Sequence, residues 1–385
     1  MGRARASVCI VTGTRAEFGL LRPVMDAVAA HARLELRVVV TGAHLLGPAE
    51  TWREVAASYT IDARVPMQRP GESGRMADAR ALGRGVEGLA EVFDGLRADW
   101  VVVLGDRIEA LAGACAASVG GVALAHIHGG DRAEGVADEA MRHAITKLAH
   151  LHLAATEQSA SRIMRMGEPP ERVVVTGSPA IDGLDEMREM SANDAEQQMG
   201  GTPSVLVMLH PCGLSGDGER AWAGAVIGGV TDAVRGGHVA VMAPNHDAGR
   251  ESLLDVMSPA VGERGWRWIE HLPRERFVGL LKSMRERGGV LVGNSSAGLI
   301  ECAALGVGVV NVGPRQNGRE RSGNVVDVAS ADRAAVAEAI GRARGLHLSG
   351  HSHPYGDGDA GKRIAGVIAG VDIGSAGFLR KCNSY

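Results

Sequence analysis

Residues 100–130 read WVVVLGDRIEALAGACAASVGGVALAHIHGG. A short apolar run, Trp100–Leu104, breaks at Gly105-Asp106-Arg107. An amphipathic stretch, Glu109–Val119, follows, two glycines stop it, and a second apolar run, Val122–Ile127, ends in His128 and two more glycines. Unbroken apolar runs of about five residues on either side of a helical pattern mark a βαβ unit, whose strands are covered on both faces and show no alternation.

The same alternation continues outward. Further strands are expected at Val8–Val11, Leu36–Thr41, Leu151–Ala154 and Arg172–Thr176, with helices at Phe18–Ala30, Met76–Leu96 and Asp138–Ala149. A second series has strands at Ser204–Leu209, Val239–Ala243, Val290–Val292 and Val309–Val312. Helices at Glu219–Val234, Arg274–Met284, Leu299–Leu305 and Arg333–Ala343 separate them. The stretch Met187–Thr202, polar and poor in strand formers, is the best linker candidate. The fold class is therefore α/β, two Rossmann-like halves of doubly wound parallel sheet. In such folds ligands are expected in the cleft at the carboxyl ends of the strands.

Length and composition agree. A chain of 385 residues is too long for one ordinary core. With 3% aromatic residues, its core must rest on Val, Leu, Ile and Ala. The net charge of −4 provides no field for nucleic acid or an anionic membrane. Cys9, Cys115, Cys212, Cys302 and Cys382 are scattered and lack CxxC spacing, so neither a disulfide framework nor a zinc site is expected, and a reducing cytoplasm is the simplest setting. The start, MGRARASVCIVTG, is basic and then apolar for too few residues to be a secretory signal.

Polar residues gather where strands end. Thr12-Gly13-Thr14-Arg15 opens a helix with amides and a guanidinium, either an anion site or a plain turn. Asp106 and Arg107 are either a structural pair or part of a site. Residues 125–147, AHIHGGDRAEGVADEAMRHAITK, are the densest. On the helix there, Asp138 and Arg142 share a face, as do Glu139 and His143, and helix pairing with dipole effects can account for all four. His126, His128 and Asp131 at the strand end have no such account. The segment lacks HxxxH or HExxH spacing, so no metal is expected. In the second half, strands run into His210-Pro211, Pro244-Asn245-His246-Asp247, Gly293-Asn294-Ser295-Ser296 with Glu301 one turn on, and Gly313-Pro314-Arg315. A Gly–Ser–Ser turn before a helix suits phosphate, and a carboxylate one turn later suits ribose hydroxyls.

GTRAEFGLLRP (residues 13–23), LGDRIEA (104–110), HIHGGDRAEGVADEAMRHAITKLAHLHLAATE (126–157), GNSSAGLIE (293–301), NVGPRQNGRERSGNVVDV (311–328) and HPYGDGDAGKRI (353–364) together resemble the hydrolysing branch of the UDP-N-acetylglucosamine 2-epimerase family, of the sialic-acid-pathway type. The resemblance implies a glycosyltransferase-B-like fold. Its domains would be 1–185 for the sugar, 186–358 for UDP, and 359–385 as a C-terminal helix returning to the first domain. It implies conversion of UDP-N-acetylglucosamine and water to N-acetylmannosamine and UDP, by anti elimination and hydration of a glycal. Catalytic residues would be Asp106, His128, Asp131, Asp138, Glu139, Arg142 and His210. Arg15, Arg107, Asn245, Asp247, Ser295, Ser296, Glu301 and Arg315 would hold the nucleotide. It further implies no cofactor, no nucleic-acid or membrane partner, and a cytoplasmic homo-oligomer (dimer or tetramer). Some relatives carry a carboxylate at the position of His128 and a Glu at that of Asp131. The same reaction on a UDP-2,4-diacetamido-trideoxy-hexose, or a UDP-sugar glycosyltransferase of the same fold, are the alternatives.

Overall fold

A computed structural model describes residues 5–47, 50–72, 74–133, 138–234, 236–245, 247–375 and 377–382, with backbone only at Ala16 and Asp138. The chain divides into two compact units. One comprises Met1–Asp131, Asp138–Asp182 and Tyr355–Tyr385; the other comprises Arg132–Ala137 and Gly183–Pro354.

The first unit is built on β1 (Ala6–Thr12), β2 (Leu34–Thr41), β3 (Ile61–Val65), β4 (Trp100–Leu104), β5 (Ala123–Ile127), β6 (Leu151–Ala154) and β7 (Val173–Val175), in the order β3-β2-β1-β4-β5-β6-β7. The second has β8 (Val205–Met208), β9 (Val239–Met242), β10 (Arg267–Ile269), β11 (Val290–Gly293), β12 (Gly308–Val312) and β13 (Val325–Val328), ordered β10-β9-β8-β11-β12-β13. Every pairing is parallel. Central strands such as β4, β5, β8 and β11 are buried along their whole length, and this is why they read as continuous apolar runs.

Three strands carry no such run: β3 (IDARV), β10 (RWI) and β13 (VVDV). All three lie at sheet edges, where one side meets solvent and charged residues alternate with apolar ones. The polar stretch 187–202 is not all linker. Ala192–Met199 is helical, started by the Ser191 hydroxyl accepting from Asp194 N–H and stopped by Gly200 in the left-handed region. It buries Ala195 and Met199.

Among the described residues of 359–385, Ala360–Gly370 is helical. That helix packs on Arg15–Ala30 so closely that a Cβ on Gly361 would fall 2.5 Å from Pro23 O. The segment after it lies across the start of β4. Phe378 meets Trp100 edge-on at 5.6 Å, and Arg172 covers its ring at 4.8 Å while donating to Phe378 O.

Candidate functional site

Strand order reverses between β1 and β4 in the first sheet and between β8 and β11 in the second. At such a reversal neighbouring connections leave to opposite faces of the sheet, opening a crevice beyond the carboxyl ends. The residues singled out in the sequence stand at these points: Gly13–Arg15 after β1, Asp106 and Arg107 after β4, His210 after β8, and Asn294–Ser296 after β11.

In the first unit Asp106 pairs with Arg142, not with its neighbour Arg107. Arg142 is buried, and it also donates to His128 O at 3.1 Å. It thus turns toward β4 and β5 instead of lying along its own helix, Asp138–Leu148. A guanidinium in that position demands a carboxylate. The Asp138 side chain, like Glu134 and His246 entirely, is outside the described residues. Glu139 and His143 form the pair expected at helical spacing, at 3.5 Å. Arg15 contacts Glu54 at 3.6 Å.

His128 and Asp131 belong to a buried series. His128 Nδ1–H donates to Asp131 Oδ2 at 2.9 Å, the Ser178 hydroxyl bonds Nε2 at 2.9 Å, and the Ser159 hydroxyl donates to Asp131 Oδ1 at 2.8 Å. His126 is structural. Its Nε2–H donates to Gly105 O at 2.8 Å, and burial pushes its pKa down to about 3. Sequence reasoning missed Ser159 and Ser178, which meet the histidine loop only through the fold.

It also missed Glu17 and Glu109. Glu109 lies across the ends of β1 and β2, where a Cβ on Gly13 would overlap its side chain and one on Gly42 would lie 2.5 Å from Oε1. Gln68 donates to Oε1 at 2.9 Å, and Arg107 Nε stands 3.6 Å from Oε2. Burial pushes the Glu17 carboxyl well above its usual range, the Glu109 charge adding to this and the Arg107 charge and Gly13 N–H opposing it. The Thr14-x-x-Glu17 spacing of a capping box was the available sequence clue. A carboxyl raised on folding favours the native state below the usual carboxyl range and works against it as pH climbs through the raised value. Glu17→Gln is therefore expected to stabilise the protein at pH 8 by roughly 1–2 kcal/mol, with the gain fading toward pH 4. Thermal melts of both proteins across that range check it.

In the second unit the Asn294 amide extends the β8–β11 ladder. Its Oδ1 accepts from His210 N–H and its Nδ2 donates to His210 O, both at 2.8 Å. His210 Nδ1 accepts from Asn245 N–H at 3.2 Å, which leaves the ring proton on Nε2. Burial, with the Arg315 charge adding, pushes the His210 pKa down to about 3, so the ring stays a neutral donor. Arg315 donates to Asn294 O at 3.4 Å and stands 3.6 Å from Asp247, which accepts from Asn245 Nδ2. Ser295 caps the turn Ser296–Leu299, accepting from Ala297 N–H. Glu301 faces Arg274 at 3.6 Å. The HPCGLSG loop is ordered by Glu219, another residue the sequence did not disclose, which accepts from Cys212 N–H at 2.7 Å and Leu214 N–H at 3.1 Å. His210, Asn245, Asp247 and Arg315 thus form one connected set.

The sequence profile of the UDP-N-acetylglucosamine 2-epimerase family matches residues 26–369. The chain belongs to that family. Among curated relatives of this epimerase-family chain, the UDP-N,N'-diacetylbacillosamine 2-epimerase (hydrolyzing) of Legionella pneumophila is 34% identical over 383 residues, covering 98% of this chain and 99% of the relative. The UDP-N-acetylglucosamine 2-epimerase of Neisseria meningitidis is 30% identical over 324 residues, 83% of this chain and 82% of the relative. A crystal structure of UDP-GlcNAc 2-epimerase from Neisseria meningitidis bound to UDP-GlcNAc superposes with TM-score 0.78 at 20% identity, covering 94% of this chain and 99% of that one. The fold is that of the family's glycosyltransferase-B-like members, with two parallel-sheet α/β units. Among the described residues no helix is long and apolar enough to cross a membrane.

Proposed function

We propose that this chain is a hydrolysing 2-epimerase of a UDP-2-acetamido sugar, and that UDP-N,N'-diacetylbacillosamine is its substrate. The observation that carries the reaction is the Asp106–Arg142 pair where the first sheet's strand order reverses. A carboxylate oriented by a buried guanidinium is suited to proton transfer beside a sugar carbon. The near end-to-end match to the Legionella pneumophila diacetylbacillosamine epimerase supports the substrate. UDP-N-acetylglucosamine is the second reading, favoured by the Neisseria meningitidis relative.

In this reading a base removes the C2 proton while UDP leaves C1 on the opposite face, giving a glycal. Water then adds to C1 and a proton returns to the other face of C2. One water is consumed, and the products are UDP and the free 2-epimer. The C2 proton is a weak acid, so stabilising the departing diphosphate carries much of the barrier. The second unit's set suits that task, with the His210 Nε2–H and the Arg315 guanidinium as donors. Asp106, with Asp138 and Glu139 on the helix that also carries Arg142, is assigned to proton transfer. The remaining nucleotide contacts fall to Arg15, Arg107, Asn245 and Ser296.

Proton NMR in deuterated buffer, with each UDP-sugar in turn, tests the reading. UDP release with deuterium at C2 of the free sugar is the expected result, faster on the diacetamido substrate. Epimerisation without UDP release would overturn hydrolysis. Release that requires an added acceptor, without C2 exchange, would point to a transferase.

A further inference from the structure

His128 directly follows β5, and its backbone is unusual. It has φ +63°, one of three described non-glycine residues in the left-handed region. Its ring is buried, and both nitrogens are engaged, Nδ1 by Asp131 and Nε2 by Ser178. Those partners are themselves held. Ser159 donates to the second oxygen of Asp131, and Ser178 accepts from Ala180 N–H at 3.2 Å.

The order Ser178–His128–Asp131 imitates a nucleophile triad, but the serine is fully buried and its oxygen already accepts a backbone hydrogen bond, so no substrate carbon can meet it. What the series does fix is the turn. His128 N–H is tied to Leu153 O at 3.2 Å, and the next two residues are glycines. A Cβ on Gly130 would overlap Ser159 O, and Arg162 donates to Gly130 O at 3.1 Å. The carbonyl that leaves this turn, His128 O, receives Arg142 Nη1, and the other terminal nitrogen of the same guanidinium holds Asp106.

We propose that His128 is a positioning residue: the buried clamp Ser178–His128–Asp131–Ser159 holds a left-handed turn after β5 so that its carbonyl aims Arg142 at Asp106. The histidine thus acts on the reaction through its backbone, and its ring moves no proton to or from the sugar. A left-handed residue persists only where its surroundings over-determine it, and two ring hydrogen bonds supply that here. The inference rests on the reading of Asp106 as a proton-transfer group.

His128→Ala, His128→Asn and Ser178→Ala test it, each assayed for kcat, KM, C2 deuterium exchange and melting temperature, with a crystal structure of each. His128→Ala loses the clamp and is expected to lower kcat about 100-fold with little change in KM, as a small displacement of a reacting group does. Its structure shows Arg142 moved off Asp106. Asparagine tolerates the left-handed region and keeps a donor for Asp131, so His128→Asn recovers about tenfold of that loss. Ser178→Ala removes one arm and lowers kcat about fivefold.

If His128→Asn is as inactive as His128→Ala while both structures keep Arg142 on Asp106, the ring itself moves the proton and the proposal falls. Wild-type kcat in His128→Ala also overturns it. Should that variant not fold, an unchanged kcat in Ser178→Ala does so. If the wild-type protein neither releases UDP nor exchanges C2, it is the functional reading that fails. The crystal structures then still judge the clamp, which an undisturbed Arg142–Asp106 pair in His128→Ala would refute.

Discussion

Asp106→Asn is expected to lower UDP release about 1,000-fold while leaving UDP affinity within about threefold, measured by single-turnover assay and calorimetry on the folded variant. The amide keeps the side chain's shape and still accepts from Arg142, but it takes up no proton. The variant also leaves the buried Arg142 guanidinium without a counter-charge, and removing one partner of a buried pair is itself destabilising by about 3 kcal/mol. Loss of chemistry and loss of fold must therefore be told apart. The double variant Asp106→Asn/Arg142→Gln separates them, because it removes the stranded charge and recovers most of the melting temperature. If activity returns along with stability, Asp106 is a structural partner of Arg142. If stability returns and activity does not, the loss lies in the chemistry of the Asp106–Arg142 pair and not in the fold. Deuterium exchange at C2, absent from both variants in the second case, gives the same answer without relying on rates.

How much of this was legible beforehand depends on how far each residue's partner lies along the chain. The interior strands were readable because parallel strands buried on both faces leave apolar runs such as VVVL and VLVG, and the runs end where polar residues of the site begin. The edge strands IDARV, RWI and VVDV were not, since their alternation matches exposed loops as well as strands. Asp106 and Arg142 were each singled out, but for partners near in sequence. That the two bind one another across 36 residues is a fact of the fold.

Ser178, 50 residues from His128, and Ser159, 28 from Asp131, carry no local sign of their roles. Glu17 and Glu109 were hidden for another reason. A glutamate in the first turn of a helix has an ordinary explanation in the helix dipole, so nothing in the sequence asks for a second one. Only the close approach of Gly13 and Gly42 shows that Glu109 is held against the turn itself. The segment 187–202 teaches the converse. Its polar composition suggested a linker, yet the Ser191 cap and Gly200 stop were present and outweigh composition.

Glu168→Ala is expected to be the most destabilising side-chain deletion at the far end of the helix that carries Arg142, costing about 3–5 kcal/mol. Glu168 is 1% exposed and receives Lys147 and Lys381, each at 2.7 Å, and His152 at 3.0 Å. Lys381 comes from the C-terminal segment and also donates to Thr146 O and Ala149 O, the carbonyls that end the helix Asp138–Leu148. One carboxylate thus collects two ammonium groups at a helix C-terminus, where the dipole favours cations. Burial alone would raise the Glu168 pKa, but the hydrogen bonds from His152, Lys147 and Lys381 outweigh it and hold the carboxyl down at about 2. Burial also pulls the Lys381 ammonium below its usual value despite the pairing, so the net contribution of the cluster is smaller than the carboxylate's share.

The sign follows from the lowered carboxyl. Its stabilisation is complete above the ordinary range near 4.5 and is lost as pH falls from there toward 2. Denaturant melts of the wild-type protein should therefore weaken between pH 5 and 3 more steeply than those of Glu168→Ala, and the two should converge at the acid end. Parallel curves across that range would show that Glu168 is not the anion that fastens the tail. Activity gives the functional counterpart. If the tail steadies the helix that presents Arg142 to Asp106, Glu168→Ala lowers kcat at temperatures well below its own melting point, whereas a purely global effect appears only as the protein begins to unfold.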